Sequence, residues 1–508
     1  MKNKISIIAR LVVFIGASAL ATARANVTPA TIFQDHAVLQ AGKPLPVWGK
    51  ADAGEKVTVS FAGQTLSTTA AADGSWKVIL APLKISAAPG VLSITGKNKI
   101  VLQDILVGEV WLCSGQSNME FRLNHATNAL AEIAAANFPL IRQFQVRNNV
   151  ANTPQSTVKG NWTLCQPTTA GDFTAVGYFF ARELYQKLGV PVGLLHSSWG
   201  GTDIEAWMSA ESIATDTNLS FVAKNWQKKI DNYPAAKAAW DAKEAAAAKA
   251  AAEAKTNGVA YKKPWNPAPP NPDGSPYFNK PSNLFNGMIA PLVPAAIAGV
   301  LWYQGENNVG RAHEYSLLFP ALVTGWREVF GQGDLPFYWV QLPNYGGYGR
   351  DQIAELREAQ NATLRLPDTA QAITIDVGEV GNIHPINKQD VGHRLAVIAL
   401  QKTYGQKVVA SGPVFSTVNF TNGTAIVTFA EVADGLVVKG ETLNGFELAG
   451  ADHKFHPADA KIAGATVAIH AADVAAPVAV RYAWHNAPAA ALANSEGLPA
   501  APFRSDGW

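Results

Sequence analysis

The stretch GEVWLCSGQSNME, residues 108–120, sets an apolar run directly against a polar, glycine-containing turn. Val110, Trp111 and Leu112 give the run the character of a strand buried on both faces. Ser114-Gly115-Gln116-Ser117 closes it. A serine held in a turn at a strand end keeps its hydroxyl exposed, while its own amide and its neighbours can face a substrate oxygen. Ser117 is therefore the candidate nucleophile. An ordinary polar strand-to-helix turn fits the local pattern equally well.

The same grammar recurs outward along the chain. PVGLLHSSWGG (191–201), IAGVLWYQGE (297–306), PFYWVQL (336–342) and QAITIDVGE (371–379) are apolar runs that end in polar or glycine residues. Between and after them lie helical spacings, as in AVGYFFARELYQKL (175–188) and QDVGHRLAVIALQKTY (389–404). Strands alternating with helices predict an α/β layer with a mostly parallel sheet. Ligands in such sheets bind beyond the carboxyl ends of the strands, where these polar residues fall.

Before this layer, residues 26–105 read as a small β-sandwich. Val57, Val59 and Phe61 alternate with polar neighbours, and Asp73-Gly74 marks a turn before Trp76. Residues 106–404 form the α/β domain, with a helical insertion at about 210–280. The Ala-, Glu- and Lys-rich stretch 235–255 inside it is a strong helix former with little apolar stripe to bury, so it is expected to face solvent. A third, β-rich domain spans 405–508.

At the strand ends lie three further candidates. Gly200 and Gly201 allow close backbone approach and an amide donor. The Gln304 side chain is placed to give a further donor, although a polar strand cap reads the same way. His384 sits on a proline-fixed loop in NIHPINKQDVGHRLA (382–396), after Asp376 and Glu379. His393, further into the helical pattern, is assigned to packing.

Composition bounds the alternatives. The 508 residues suit two or three domains at roughly 100–200 residues each. With 41 basic against 39 acidic residues there is no basic block to track a phosphate backbone, so nucleic acid is not expected as a partner. Lys2, Lys4 and Arg10 precede an apolar run from Leu11 to Ala21 and an Ala23-Arg24-Ala25 cleavage signal. Residues 1–25 thus read as a secretory signal peptide, and a periplasmic or secreted chain with no membrane attachment after its removal is expected. Cys113 and Cys165 either pair in that oxidising setting or remain buried thiols.

Together GEVWLCSGQSNME, VGYFFARELYQKLGVPVGLLHSSWGGTDIEAW, WYQGENN, IHPINKQDVGHRLA and the closing GLPAAPFRSD resemble the sialate O-acetylesterase group of the SGNH hydrolases, over nearly the whole mature chain. The resemblance implies an SGNH-type, flavodoxin-like three-layer hydrolase domain flanked by β-rich domains. It implies Ser117 as nucleophile, His384 as base, and an oxyanion hole from the Ser117 amide, the Gly200 and Gly201 backbone and Gln304. It implies no cofactor and no metal. The substrate class it implies is an acetylated carbohydrate, sialic acid or a plant glycan such as xylan or xyloglucan; it leaves the oligomeric state open.

One departure stands out. The wider group has an Asp three residues before the histidine, and that position here is Gly381. Asp376, Glu379, Glu306 or Asn382, or a backbone carbonyl, are the alternatives for orienting the imidazole, and a Ser-His dyad is another. Trp199, Trp207, Trp265, Tyr303, Tyr345 and Tyr348 lie near the motifs as sugar-stacking or core aromatics. Three rivals have their own signals. The His313-Glu314 start of a zinc motif lacks its second histidine. Asp203, Glu205, Glu306 and Glu379 offer carboxyls to a glycosidase, and the missing acid suits a glycan-binding protein with a dead site.

Overall fold

The computed structural model describes residues 26–264 and 266–508. The signal-peptide assignment, like Trp265, lies outside the described residues. The chain is a mixed α/β protein with several sheets.

The strand Lys99–Gly115 organises it. Its first half pairs antiparallel with Ser86–Thr95, among the N-terminal strands, and its second half lies at the centre of a parallel array. Across that array the order is Phe138–Val146, Val192–Ser198, Lys99–Gly115, Gly299–Tyr303, Phe337–Val340 and Thr369–Ala372, with Gly160–Cys165 antiparallel at one edge. Strand order thus turns back at Lys99–Gly115, whose two neighbours come from later in the chain. That is the switch point at which α/β sheets open a crevice. Val192–Ser198 and Gly299–Tyr303 are buried at every residue, as the continuous apolar runs predict for parallel strands covered on both faces.

Gly115 has to be glycine. Its φ is +133°, and a Cβ there would lie 2.1 Å from the Tyr303 carbonyl oxygen. The close approach lets the Gln116 amide donate to that oxygen at 2.9 Å, and the Trp199 amide donate to Gly115 at 3.1 Å. Three strand ends are thereby sewn together where the chain leaves the sheet.

The expected alternation in the N-terminal part is present, with Val57, Val59 and Phe61 buried along Lys56–Phe61. One hydrophobic core runs from these strands through the parallel sheet. A second core lies in the C-terminal strands and draws in Ile373 and Ile375 from the segment after Thr369–Ala372. The helix Tyr233–Thr256 buries none of its residues, in keeping with its solvent-facing composition. Cys113 and Cys165 are both buried free thiols, which decides the question the sequence left open. Among the described residues no helix is long and apolar enough to cross a membrane.

Candidate active site

Ser117 begins the short helix Ser117–Glu120 directly after the Gly115 turn. First-turn amides of a helix have no partner inside it, so the Ser117 amide points outward at the positive end of the turn. His384 arrives from the loop before the helix Gln389–Lys402. Although 267 residues separate them, His384 Nε2 and Ser117 Oγ are 2.8 Å apart. The imidazole is half-buried, and burial, followed by the positive charges of Lys388 and Lys262, lowers its pKa from the ordinary histidine value. A neutral ring is what a general base requires.

None of the three carboxylates considered as its orienting partner touches that ring. Asp376 is held by Arg394 at 2.6 and 2.8 Å and by Lys439 at 2.9 Å. Glu379 accepts from the Asn382 side chain at 3.2 Å and the Ile386 amide at 2.9 Å. Glu306 accepts from Asn118 at 2.5 Å. Asn382 meets the histidine at its backbone, the Asn382 side-chain oxygen accepting the His384 amide at 3.0 Å. Among the described residues, His384 has no carboxylate within ion-pair reach.

The glycine turn lies against the serine. A Cβ on Gly200 would come within 3.1 Å of both Ser117 Cβ and Glu120 Oε2. The Gly200 amide donates to Glu120 at 2.7 Å, whereas the Gly201 amide, at φ +71°, has no hydrogen bond among the described residues. Burial raises the Glu120 pKa, only partly offset by the Gly200 hydrogen bond and Arg122.

Gln304 is placed otherwise than expected. It is fully buried, and its amide nitrogen donates to the Thr202 carbonyl at 3.0 Å and to Asn308 at 2.7 Å. Its oxygen accepts from Tyr315 at 3.0 Å. With both hydrogens engaged, it fastens the loop after Gly201 to the end of the neighbouring strand and offers nothing to an oxyanion in this arrangement.

Several other candidates also have structural partners. Asp203 pairs with Lys229 at 3.0 Å, and Glu205 with Arg311 at 2.5 Å, so both carboxyls are held in ion pairs. Trp207 and Tyr303 are fully buried, and Trp199 stacks on Phe278 at 5.8 Å. Tyr348 donates to the Glu306 carbonyl at 2.9 Å. His393 pairs with Glu183 at 2.8 Å. Sequence reasoning gave no role to Glu120, Asn118 or Lys388, although all three stand inside the quoted motifs; their partners lie too far along the chain for local spacing to show. Beside Glu120 opens a polar cleft of about 660 Å³, lined in part by Arg122, Gln143, Arg147, Asn161 and Thr168.

The model of a carbohydrate esterase family, described as sialic acid-specific acetylesterase, matches residues 107–238 and 263–401. The chain belongs to this family. It is a carboxylic ester hydrolase. The sialate O-acetylesterase of Rattus norvegicus is 30% identical over 90% of each chain, and that of Homo sapiens 29% identical over 90% of this chain and 88% of its own. Among solved structures, a carbohydrate acetylesterase from Xanthomonas citri is 38% identical, with a TM-score of 0.79, covering 95% of this esterase and all of that chain.

Proposed function

We propose that this esterase releases acetate from O-acetylated sugars through an acetyl-enzyme on Ser117, with His384 as general base. The 2.8 Å contact between Ser117 Oγ and His384 Nε2, on a serine whose amide opens a helix, is the observation that carries it. As Oγ attacks the acetyl carbonyl, its proton passes to Nε2. The carbonyl oxygen becomes an oxyanion facing the Ser117 and Gly201 amides. Collapse of the tetrahedral species breaks the ester bond, and Nε2 returns the proton to the departing sugar oxygen. Water, deprotonated by the same nitrogen, then clears the acetyl group. Each oxyanion donor supplies about 3–4 kcal/mol in such reactions. A sugar hydroxyl leaves more easily than an amine, which is consistent with a base that works without a charged partner.

The polar cleft beside Glu120, three residues after the serine, supports a sugar as the leaving group, since it is lined by amide, hydroxyl and guanidinium groups. On this reading residues 106–404 form an SGNH-type hydrolase layer between β-rich segments at 26–105 and 405–508, and the mature chain acts in the periplasm or outside the cell. Acetate release measured on acetylated sialic acid, xylan and xyloglucan, with trapping of an acetyl adduct on Ser117, tests the proposal. Release from one of these together with a Ser117 adduct is expected; hydrolysis that persists in Ser117→Ala would overturn it.

A further inference from the structure

Beneath the serine and histidine lies a buried polar chain. Asn118, the residue after Ser117, is completely buried and bonds in three directions. Its amide nitrogen donates to Glu306 at 2.5 Å and to the Ile383 carbonyl, just before His384, at 3.0 Å. Its oxygen accepts from Lys388 Nζ at 2.5 Å. Lys388 is itself completely buried, with its ammonium 4.9 Å from the Phe121 ring centroid and 5.1 Å from that of Tyr303. A buried lysine and a buried glutamate are costly groups to retain, and an apolar pair of similar volume would often serve stability as well or better.

We infer that Asn118, Lys388 and Glu306 form a positioning bridge that locks the nucleophile turn to the histidine loop, holding His384 in place where no carboxylate touches its ring. This rests on Ser117 and His384 as nucleophile and base. The geometry accounts for three things at once. Asn118 fixes the backbone on both sides of the Ser117–His384 contact, since it follows one residue and bonds the residue before the other. Glu306 and Lys388 hold the Asn118 amide from opposite ends, so its rotation is fixed. Lys388 also places a cation near the imidazole, which favours the neutral ring.

The groups facing this cation are Glu306, from the turn after Gly299–Tyr303, Glu379 and His384 from the 373–386 segment, and the Tyr303 phenol. Lys262 adds a second positive charge toward His384. Burial brings the Lys388 pKa down to about 7, against the pull of Glu306 and Glu379. At pH values below that it is mainly charged, and there it opposes protonation of His384. The Glu306 carboxyl is pushed up by burial, and its Oε2 has no hydrogen-bond partner among the described residues.

The test compares Lys388→Met, Asn118→Asp, Glu306→Ala, Glu306→Gln and His384→Ala in the full chain. Acetate release from an aryl acetate is followed across pH, with thermal unfolding as the check on folding. Lys388→Met should move the acid limb of kcat/KM to higher pH, because the opposing charge is gone. Asn118→Asp, close in shape but without donors to Glu306 and Ile383, should lower kcat on the order of a hundredfold with KM little changed. Glu306→Gln, which keeps an oxygen acceptor, should recover most of the rate lost in Glu306→Ala. Folded Lys388→Met and Asn118→Asp with unaltered acid limb and kcat would overturn the bridge while an inactive His384→Ala leaves the base assignment standing. An active His384→Ala would overturn both.

Discussion

The Gly200 amide donates to the Glu120 carboxylate at 2.7 Å, so one of the two glycine amides beside Ser117 is engaged by a side chain of the nucleophile's own helix. The contact holds the glycine turn against the serine, while the Gly201 amide has no hydrogen bond among the described residues. Glu120→Gln, which retains an oxygen acceptor, should keep most of the activity. Glu120→Ala releases the turn and should lower kcat on the order of a hundredfold, the scale of a small misplacement of reacting groups. Steady-state kinetics of the two variants on an aryl acetate check this; equal rates in both would show that the contact is idle.

The glycine turn itself should tolerate no side chain. Gly200→Ala places a methyl 3.1 Å from Ser117 Cβ and Glu120 Oε2, tighter than ordinary carbon contacts, so the serine or the glutamate must shift. Gly201→Ala forces an alanine to φ +71°, at a cost of about 1 kcal/mol in backbone strain. Both variants are expected to fold, with reduced thermal midpoints and kcat reduced more than KM. Wild-type kcat in either one would move the oxyanion donors elsewhere.

Asp376 should behave as a structural residue. Burial works against its ionisation, but hydrogen bonds and charges from Arg394 and Lys439 outweigh it and hold the carboxyl below its ordinary value. Removing the charge in Asp376→Asn leaves Arg394 buried without its partner, a loss of about 3–5 kcal/mol by comparison with other broken buried pairs. The sign of the pH dependence follows from the lowered pKa. The stabilisation is fully present above the ordinary value of 3.8 and is lost as pH falls through the lower folded-state value. Denaturant unfolding should show the deficit in Asp376→Asn, while kcat of the folded fraction stays near wild type. A selective collapse of kcat would restore Asp376 as a partner of the histidine.

His384 must be neutral to accept the serine proton, and its pKa lies below the ordinary 6.5 because of burial and the charges of Lys388 and Lys262. The acid limb of kcat/KM should therefore fall below pH 6.5. As pH drops through the shifted value, the ring gains its proton and activity falls with a slope of one. Raised ionic strength should move the limb upward slightly, because Lys262 is exposed and its field is screened, whereas buried Lys388 is screened much less. A limb above pH 6.5 at low salt would contradict this electrostatic picture.

How far the sequence reached is clearest at Ser117 and His384. Each stands at the end of an apolar run or beside a helix start, and those are local features: the periodicity that buries Val192–Ser198 and Gly299–Tyr303 is set by neighbouring residues alone. The same local logic exposes the helix Tyr233–Thr256, whose composition has no apolar stripe. Gln304 shows the limit. Its place after an apolar strand was readable, but whether its amide hydrogens face the substrate or Thr202 and Asn308 depends on where the fold brings the Thr202 carbonyl, 102 residues away in the chain.

The carboxylates show it again. By sequence Asp376 and Glu379 are equivalent, both a short way before His384, yet Arg394 and Lys439 claim the first, and Asn382 with Ile386 the second. The chain by itself determined the strand ends, the glycine turns and the types of chemical group they carry, because burial periodicity and backbone stereochemistry act over a few residues. Only the tertiary structure decided which of those groups meet. The contacts of Asn118 with Glu306 and Lys388 join residues 188 and 270 positions apart, and a hydrogen bond is fixed by distance and direction in space, to which sequence separation gives no guide.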